Sequence, residues 1–296
     1  MLPSNCGIII HYKNSFFDPL NLEENVFYTY EEKNDNKFKL LKKLSRKFDI
    51  LTNLISFNYS HKWTSRIKSI ENWIIVDDNK QQECIGHYIK FRNKKAKIYY
   101  CSIDLSYPIY HQKYCDEAFC WDEKASKKWN ATFIPLCYYY IDIKTKHNTS
   151  YSFLWLGREK KDRNSMLLDN IKNSLLNVFC NSSSYFWKTL NNNDKGYDYT
   201  TEYLPMIINT KILIEVVINN QTGLTLRALE ALFYNKKLIT TNEYIKKYNF
   251  YNSNNIFIWG VDSNLSEWIK LPHMQVSDSI KNEYTFESFV KKICKI

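Results

Sequence analysis

The chain has 296 residues, of which 44% are hydrophobic and 16% aromatic, and this composition excludes an intrinsically disordered protein. Its eight cysteines are scattered, with no CxxC pair and no histidine at zinc-binding spacing, so the sequence predicts buried reduced thiols and neither a disulfide framework nor a metal site. The net charge of +10 is spread along the chain. It predicts an anionic surface or ligand without choosing among phospholipid, glycolipid, nucleotide and nucleic acid.

The first half of the chain alternates between strands and helices. A first strand is predicted at residues 6–10, where an apolar run ends at His11. From residue 73 onward, apolar and β-branched runs are separated by helical patterns, which is typical of a Rossmann-like domain with a parallel sheet. The predicted strands lie at residues 73–78, 97–104, 117–121 and 132–140, and the predicted helices at residues 81–93 and 124–129.

Residues 37–57 form a lysine-rich amphipathic pattern with apolar side chains at helical spacing. This helix could lie against an anionic membrane face, or it could be a surface helix that packs on a sheet. No apolar run approaches the ~20 residues that span a bilayer, and the N-terminus lacks a signal-peptide pattern. We therefore expect a cytoplasmic protein whose contact with the inner face of the cell membrane is peripheral.

A polar segment without periodicity, residues 142–150, is the predicted linker. It divides the chain into an N-terminal domain at residues 1–145 and a C-terminal domain at residues 146–296. Within the second domain, residues 180–198 are predicted to be a long polar loop with embedded aromatic side chains.

The second domain opens with a predicted strand at residues 151–156 and a predicted helix at residues 165–179. Gly157 lies where the strand hands over to the helix and lets backbone approach a ligand closely. Arg158 and Arg163 make the following loop cationic. This loop could contact a diphosphate, or it could simply be solvated surface.

Residues 211–242 read as a compact strand–turn–helix–strand unit, of the kind that belongs to mostly parallel sheets. Its first strand is an apolar, β-branched run, and its turn is rich in asparagine and ends in glycine. The predicted strands lie at residues 211–218 and 237–241, the turn at residues 219–223 and the helix at residues 224–234.

The helix of this unit carries a narrow polar stripe on an otherwise apolar surface, with Gly223, Arg227 and Glu230 in line. Gln221, Thr222 and Gly223 lie where the helix begins, and free backbone N–H groups with the positive end of the helix dipole favour an anion such as a diphosphate there. Arg227 could add a cation, and Glu230 could accept hydrogen bonds from sugar hydroxyls. The alternative is an i,i+3 ion pair between Arg227 and Glu230, with the turn merely capping the helix.

The run NQTGLTLRALEALFYNKKLITTN, followed by YNFYNSNNIFI, resembles the C-terminal signature of bacterial glycosyltransferase-like proteins from polysaccharide and lipopolysaccharide gene clusters. It is similar to the enterobacterial lipopolysaccharide core glycosyltransferases, in particular the core rhamnosyltransferase. The resemblance is strongest from Tyr203 to Phe257. It continues upstream through WIIVDD, KIYYCSID, FCWDEKASKKW and FLWLGREKKDR, and the first sixty residues match poorly.

This resemblance implies the α/β fold of GT-B proteins, with two Rossmann-like domains facing across a cleft. It implies transfer of a sugar, with rhamnose favoured, from a nucleotide donor to the lipopolysaccharide core or another lipid-linked surface glycan. The first domain would bind the acceptor and the second the nucleotide. Glu230 would contact the ribose, while Thr222, Gly223 and Arg227 would face the diphosphate.

The sequence lacks a DxD pair for magnesium, since Asp77 and Asp78 are adjacent. We therefore expect a metal-independent transferase whose only small-molecule requirement is the nucleotide sugar. An inverting enzyme needs a general base, and His11 and Asp104 are the candidates because both lie at the ends of predicted strands, with Asp77 and Asp78 as the next candidates. Carboxylates in such positions also cap helices, and a retaining enzyme would need no such base.

Two other functions remain open. A basic chain with many tyrosines could bind nucleic acid, but most of these tyrosines lie inside apolar runs, so we expect no nucleic-acid partner. A relative without catalytic activity could bind glycolipid without turnover. The sequence leaves open the sugar, the nucleotide, the acceptor linkage and the oligomeric state.

Overall fold

The computed structural model describes residues 3–10, 24–28, 60–76, 82–102, 114–143, 150–159, 165–179, 184–191, 193–218 and 221–296. The chain divides into two compact units. The N-terminal unit is Met1–Pro135 together with Phe286–Ile296, and the C-terminal unit is Leu136–Thr285. The predicted linker and the amphipathic segment at residues 37–57 lie mostly or wholly outside the described residues.

The N-terminal unit contains a parallel sheet of six strands in the order β2-β1-β3-β4-β5-β6. Its central strands are apolar runs buried along nearly their whole length, as expected for a sheet with both faces covered. The strands are β1 Cys6–Ile10, β2 Val26–Tyr28, β3 Asn72–Val76, β4 Lys97–Ser102, β5 Glu117–Cys120 and β6 Thr132–Phe133, and the helices are α1 His61–Thr64, α2 Gln82–Arg92, α3 Glu123–Trp129 and the C-terminal helix Phe286–Cys294.

Helix α3 shows why the local sequence forms these elements. Asp122 caps its N-terminus by accepting a hydrogen bond from the Ala125 N–H at 2.9 Å. Asn130 ends it in the left-handed conformation, with φ 52°. The strand that follows is shorter than the predicted residues 132–140, because Pro135 cannot donate to a ladder.

The C-terminal unit contains a second parallel sheet, with five strands in the order β11-β10-β9-β7-β8. Strand β8 lies inside the segment predicted as a polar loop, so that prediction was wrong. The strands are β7 Tyr151–Arg158, β8 Tyr185–Leu190, β9 Thr210–Glu215, β10 Lys237–Thr240 and β11 Ile256–Ile258, and the helices are α4 Ser165–Val178, α5 Leu204–Ile208, α6 Leu226–Phe233, α7 Leu265–Lys270 and α8 Asp278–Glu283, with a π-helical turn at Tyr199–Tyr203 and a 3-10 helix at Glu243–Lys247.

The strand order of the C-terminal sheet reverses between β7 and β9. The chain first moves outward from β7 to β8, then returns to the other side of β7 and moves outward again through β9, β10 and β11. The described pairing of β7 with β9 ends at Leu154 and Leu213, while each strand continues beside its other neighbour. In open parallel sheets, ligands bind at such a reversal, outside the carboxyl ends of the strands.

The two parallel sheets with their helices confirm the predicted fold class of two Rossmann-like α/β domains. Among the described residues, no helix is both long and apolar enough to cross a bilayer.

Candidate functional site

Helix α6 follows β9 and begins at Leu226, two residues later than predicted. Thr225 is its N-cap, because the Thr225 hydroxyl accepts a hydrogen bond from the Ala228 N–H at 3.3 Å. Every residue from Ala228 to Phe233 is buried. The helix therefore runs through the interior, and its N-terminus lies at the carboxyl end of the sheet.

Arg227 spans the gap where β7 and β9 separate. Its guanidinium donates to the Leu156 carbonyl oxygen of β7 and to the Ile214 carbonyl oxygen of β9, each at 2.9 Å. The guanidinium carbon also lies 5.5 Å from the centre of the Tyr203 ring, within the range of a cation–π contact. These bonds hold the positive charge of Arg227 at the strand-order reversal. The charge is still accessible, because 13% of the side chain remains exposed.

Glu230 lies one turn further along α6 and is fully buried. Its carboxylate accepts hydrogen bonds from the Tyr199 and Tyr203 hydroxyls, both at 3.1 Å, and from Arg227 Nε at 3.3 Å. The i,i+3 ion pair is therefore present. Burial raises the pKa of Glu230 to about 7, while Arg227 and the two tyrosine hydroxyls act in the opposite direction.

Tyr138 extends the hydrogen-bond network of Glu230 through Tyr199. The Tyr138 and Tyr199 hydroxyl oxygens are 2.6 Å apart. Because Tyr199 donates its only hydroxyl proton to Glu230, Tyr138 must be the donor in that contact. Burial raises the pKa of both tyrosines, so both remain protonated donors.

Glu215 is a second buried carboxylate at the carboxyl end of β9, with 4% of the residue exposed. It accepts hydrogen bonds from the Thr225 hydroxyl, at the start of α6, and from the Thr240 hydroxyl, at the end of β10. Burial raises the pKa of Glu215, and the two hydroxyls oppose this effect. Sequence reasoning missed this residue, although a glutamate that ends an apolar strand was a usable signal.

The turn before α6 is also well anchored. Thr222 and Gly223 are buried and Gln221 is half-buried. The Gly223 carbonyl oxygen accepts a hydrogen bond from Asn242 Nδ2 at 3.0 Å. Residues 219–220, which open the predicted turn, lie outside the described residues.

Other predicted site residues are spread more widely. Gly157 lies within β7 and pairs with Thr189, so the strand does not yet hand over to a helix there. Arg158 is exposed and donates to the carbonyl oxygens of Asn191 at 3.1 Å and Asp194 at 3.4 Å. His11, Asp104 and Arg163 lie outside the described residues.

The structure thus brings Arg227 and Glu230 together at the carboxyl end of β7 and β9, with the Gly223 turn at the start of the same helix. Glu215 and three tyrosines complete this cluster from other parts of the C-terminal unit. Within the described ranges, no three histidine, cysteine, aspartate or glutamate side chains are grouped to hold a metal ion.

Comparison with known proteins finds no matching family model and no matching curated sequence. Solved structures resemble the chain over nearly its full length. The UDP-GlcNAc 2-epimerase from Methanocaldococcus jannaschii is 9% identical, with a TM-score of 0.45 and 98% of each chain covered. The UDP-GlcNAc 2-epimerase from Neisseria meningitidis is 10% identical, with a TM-score of 0.45 and 98% of each chain covered. Likenesses at this level assign neither a family nor an activity, and the two parallel sheets establish the fold.

Proposed function

We propose that the chain is a glycosyltransferase that moves a sugar from a nucleotide donor to the lipopolysaccharide core or a related surface glycan. The sequence resemblance described above supports the reaction class, the acceptor class and rhamnose as the sugar. The C-terminal unit supplies the donor site. In this proposal the nucleotide diphosphate lies at the carboxyl end of β7 and β9, beside the N-terminus of α6.

The observation that carries the donor site is the position of Arg227. Open parallel sheets bind ligands at the point of strand-order reversal, and Arg227 lies at that point in this sheet. Two backbone carbonyl oxygens and the Glu230 carboxylate hold the guanidinium in place. A cation held in this way needs little reorganisation when a diphosphate arrives, and this favours both binding and the departure of the nucleotide.

Gln221, Thr222 and Gly223 extend the proposed site to the start of α6. The first backbone N–H groups of a helix lack intrahelical partners and point along its positive end. A diphosphate placed there would interact with the helix N-terminus and with Arg227 at the same time. Arg158, the last residue of β7, is proposed to add positive charge at the same end of the sheet, and Arg163 stays a sequence-based proposal for the same role.

Glu230 has a different proposed role from that of its neighbours. It is fully buried, and its described hydrogen bonds come from Arg227, Tyr199 and Tyr203. Its main role in the proposal is to hold Arg227. The resemblance implies contact between Glu230 and a ribose hydroxyl. That contact requires the Tyr199 and Tyr203 hydroxyls to move away from Glu230.

The chemical step needs no metal ion in this proposal. Arg227 and the helix N-terminus would neutralise the charge that develops on the leaving nucleoside diphosphate. For inversion of configuration, His11 or Asp104 would remove the proton from the acceptor hydroxyl as that oxygen attacks the anomeric carbon. The basic surface would keep the protein near anionic lipid-linked acceptors at the inner membrane face.

Thermal unfolding with and without nucleotides tests the donor site. A nucleotide at one hundred times its Kd stabilises the folded state by about 2.7 kcal/mol. For a domain of this size, that raises the Tm by roughly 5–11 °C. We expect such a shift with one member of a panel of UDP, dTDP, GDP, ADP and CMP, and we expect Arg227→Ala to remove it.

Leu175→Ala is the matched control, because Leu175 is fully buried in α4 and its loss lowers the Tm without changing charge at the site. The control should keep the nucleotide-dependent shift. The proposal fails if no nucleotide or nucleotide sugar shows saturable binding, or if Arg227→Ala retains the full shift.

A transfer assay separates an enzyme from a glycolipid-binding protein. Release of nucleoside diphosphate from the sugar donor should depend on an acceptor that carries the lipopolysaccharide core, and it should continue in the presence of a metal chelator. Saturable binding without acceptor-dependent release would favour the non-catalytic alternative.

A further inference from the structure

The two threonines that contact Glu215 have fixed hydroxyl orientations. The Thr225 hydroxyl oxygen accepts from the Ala228 N–H at 3.3 Å, and the Thr240 hydroxyl oxygen accepts from the Asn242 N–H at 2.9 Å. Each hydroxyl has only one proton, and in both cases it is donated to Glu215. One carboxylate therefore connects the end of β9, the N-cap of α6 and the end of β10.

Both carboxylate oxygens of Glu215 are engaged by contacts within the protein. Its two carboxylate oxygens each accept from a different threonine, and only 4% of the residue is exposed. A buried carboxylate is costly unless its hydrogen bonds are made. These bonds reach the start of helix α6, where the proposed diphosphate site lies.

The connection continues from Thr240 to the Gly223 turn. Asn242 donates its backbone N–H to Thr240 and its side-chain amide N–H to the Gly223 carbonyl oxygen at 3.0 Å. The Asn242 side-chain oxygen in turn accepts from the Tyr244 N–H at 3.1 Å. Glu215, Thr240 and Asn242 thus form a continuous hydrogen-bonded path to the peptide of Gly223.

We infer that Glu215 is a positioning residue, which holds the N-terminus of α6 and the Gly223 turn in the arrangement that receives the nucleotide diphosphate. This inference rests on the proposed donor site. Its physical basis is preorganisation, since backbone N–H groups that are already in place lose less entropy when the anion binds. Neutral glutamine cannot accept from both hydroxyls through two carboxylate oxygens, so Glu215→Gln should loosen both ends of the path.

Paired threonine variants test the inference without removing the carboxylate. Thr225→Val and Thr240→Val remove a hydroxyl, whereas Thr225→Ser and Thr240→Ser keep it. Ile239→Val is the control for core packing, because Ile239 is fully buried beside Thr240 and has no hydroxyl to lose. Two quantities are measured for each protein, namely the Kd of the nucleotide selected from the panel and the amide hydrogen exchange of peptides that cover residues 221–229.

The valine variants and Glu215→Gln should weaken nucleotide binding by about tenfold and speed exchange in residues 221–229. The serine variants and Ile239→Val should stay within about twofold of the wild type in both measurements. A general loss of stability would speed exchange in other peptides of the C-terminal unit as well. Because Thr225→Val also removes the N-cap bond to Ala228, an effect of Thr240→Val and Glu215→Gln that is confined to residues 221–229 identifies positioning by Glu215.

Equal behaviour of the valine and serine variants in both measurements overturns the inference. If the wild type binds no nucleotide, the proposed donor site fails, and the role of Glu215 toward a diphosphate fails with it. Exchange in residues 221–229 still decides in that case whether Glu215 holds the turn. The two failures are therefore distinguishable.

Discussion

Replacing Glu230 with leucine removes the carboxylate on which Arg227, Tyr199 and Tyr203 converge. The guanidinium then stays largely buried without its counter-charge, which costs about 3–5 kcal/mol in comparable buried pairs. For a domain of this size, that loss lowers the Tm by roughly 6–20 °C. Tyr203→Phe removes one donor and leaves the ion pair intact, so it should cost less, about 1.5–3 kcal/mol.

Urea unfolding at pH 8 measures these free energies. The set comprises the wild type, Arg227→Met, Glu230→Leu and the double variant. Because each single variant leaves one buried charge without its partner and the double variant leaves neither, the double variant should be destabilised by at least about 2 kcal/mol less than the two single variants combined. The urea dependence of the unfolding free energy should stay constant, which confirms that the denatured states are comparable.

Additive costs would contradict this account of the buried pair. If the two single variants add to the double variant within about 0.5 kcal/mol, Arg227 and Glu230 do not depend on each other for stability. If Glu230→Leu costs less than about 1 kcal/mol, the carboxylate does not accept the three hydrogen bonds described.

Stability should also respond to pH through Glu230 and to substitutions at Lys237 and Gly7. The pKa of Glu230 is raised from 4.5 to about 7, so between these pH values the folded state keeps a proton that the unfolded chain releases. The free energy of unfolding should therefore fall as the pH rises from about 4.5 to 7. Urea unfolding at pH 5 and pH 8 should show a smaller fall for Glu230→Gln than for the wild type. Lys237→Met removes bonds to the Trp268 and Ile269 carbonyl oxygens and should cost about 1–3 kcal/mol in urea unfolding. Gly7→Ala places a Cβ 2.8 Å from the Trp73 ring and should lower stability by about 1–3 kcal/mol in the same assay.

The main strands of both sheets could be predicted because the sequence signal is local. Apolar, β-branched runs of strand length produced β1, β3, β4 and β9 within a few residues of their ends. Strand β8 was missed because its YFWKTL sequence is flanked by serine and asparagine runs, whose turn preference concealed it. The strand predicted at residues 132–140 was too long, because Pro135 interrupts backbone pairing soon after β6 ends at Phe133.

The candidate site was only partly accessible from the sequence. Helical periodicity places Arg227 and Glu230 on one stripe, and their ion pair follows from that spacing. The tyrosine partners of the pair were not accessible, because Tyr199 and Tyr203 lie 31 and 27 residues before Glu230 in the chain and only the fold brings them to it. The threonine partners of Glu215 were hidden for the same reason, although each lies at an element end where hydroxyl caps are common.

The ion-pair and ligand interpretations of the α6 stripe are compatible. Replacing a buried ion pair such as that of Arg227 and Glu230 with two well-packed apolar side chains is often neutral or stabilising. The free energy of folding alone therefore gives little reason for an arginine at the point where β7 and β9 separate. In the proposed function an anionic ligand supplies that reason, and the buried carboxylate would keep the charge in place at the edge where parallel sheets bind ligands.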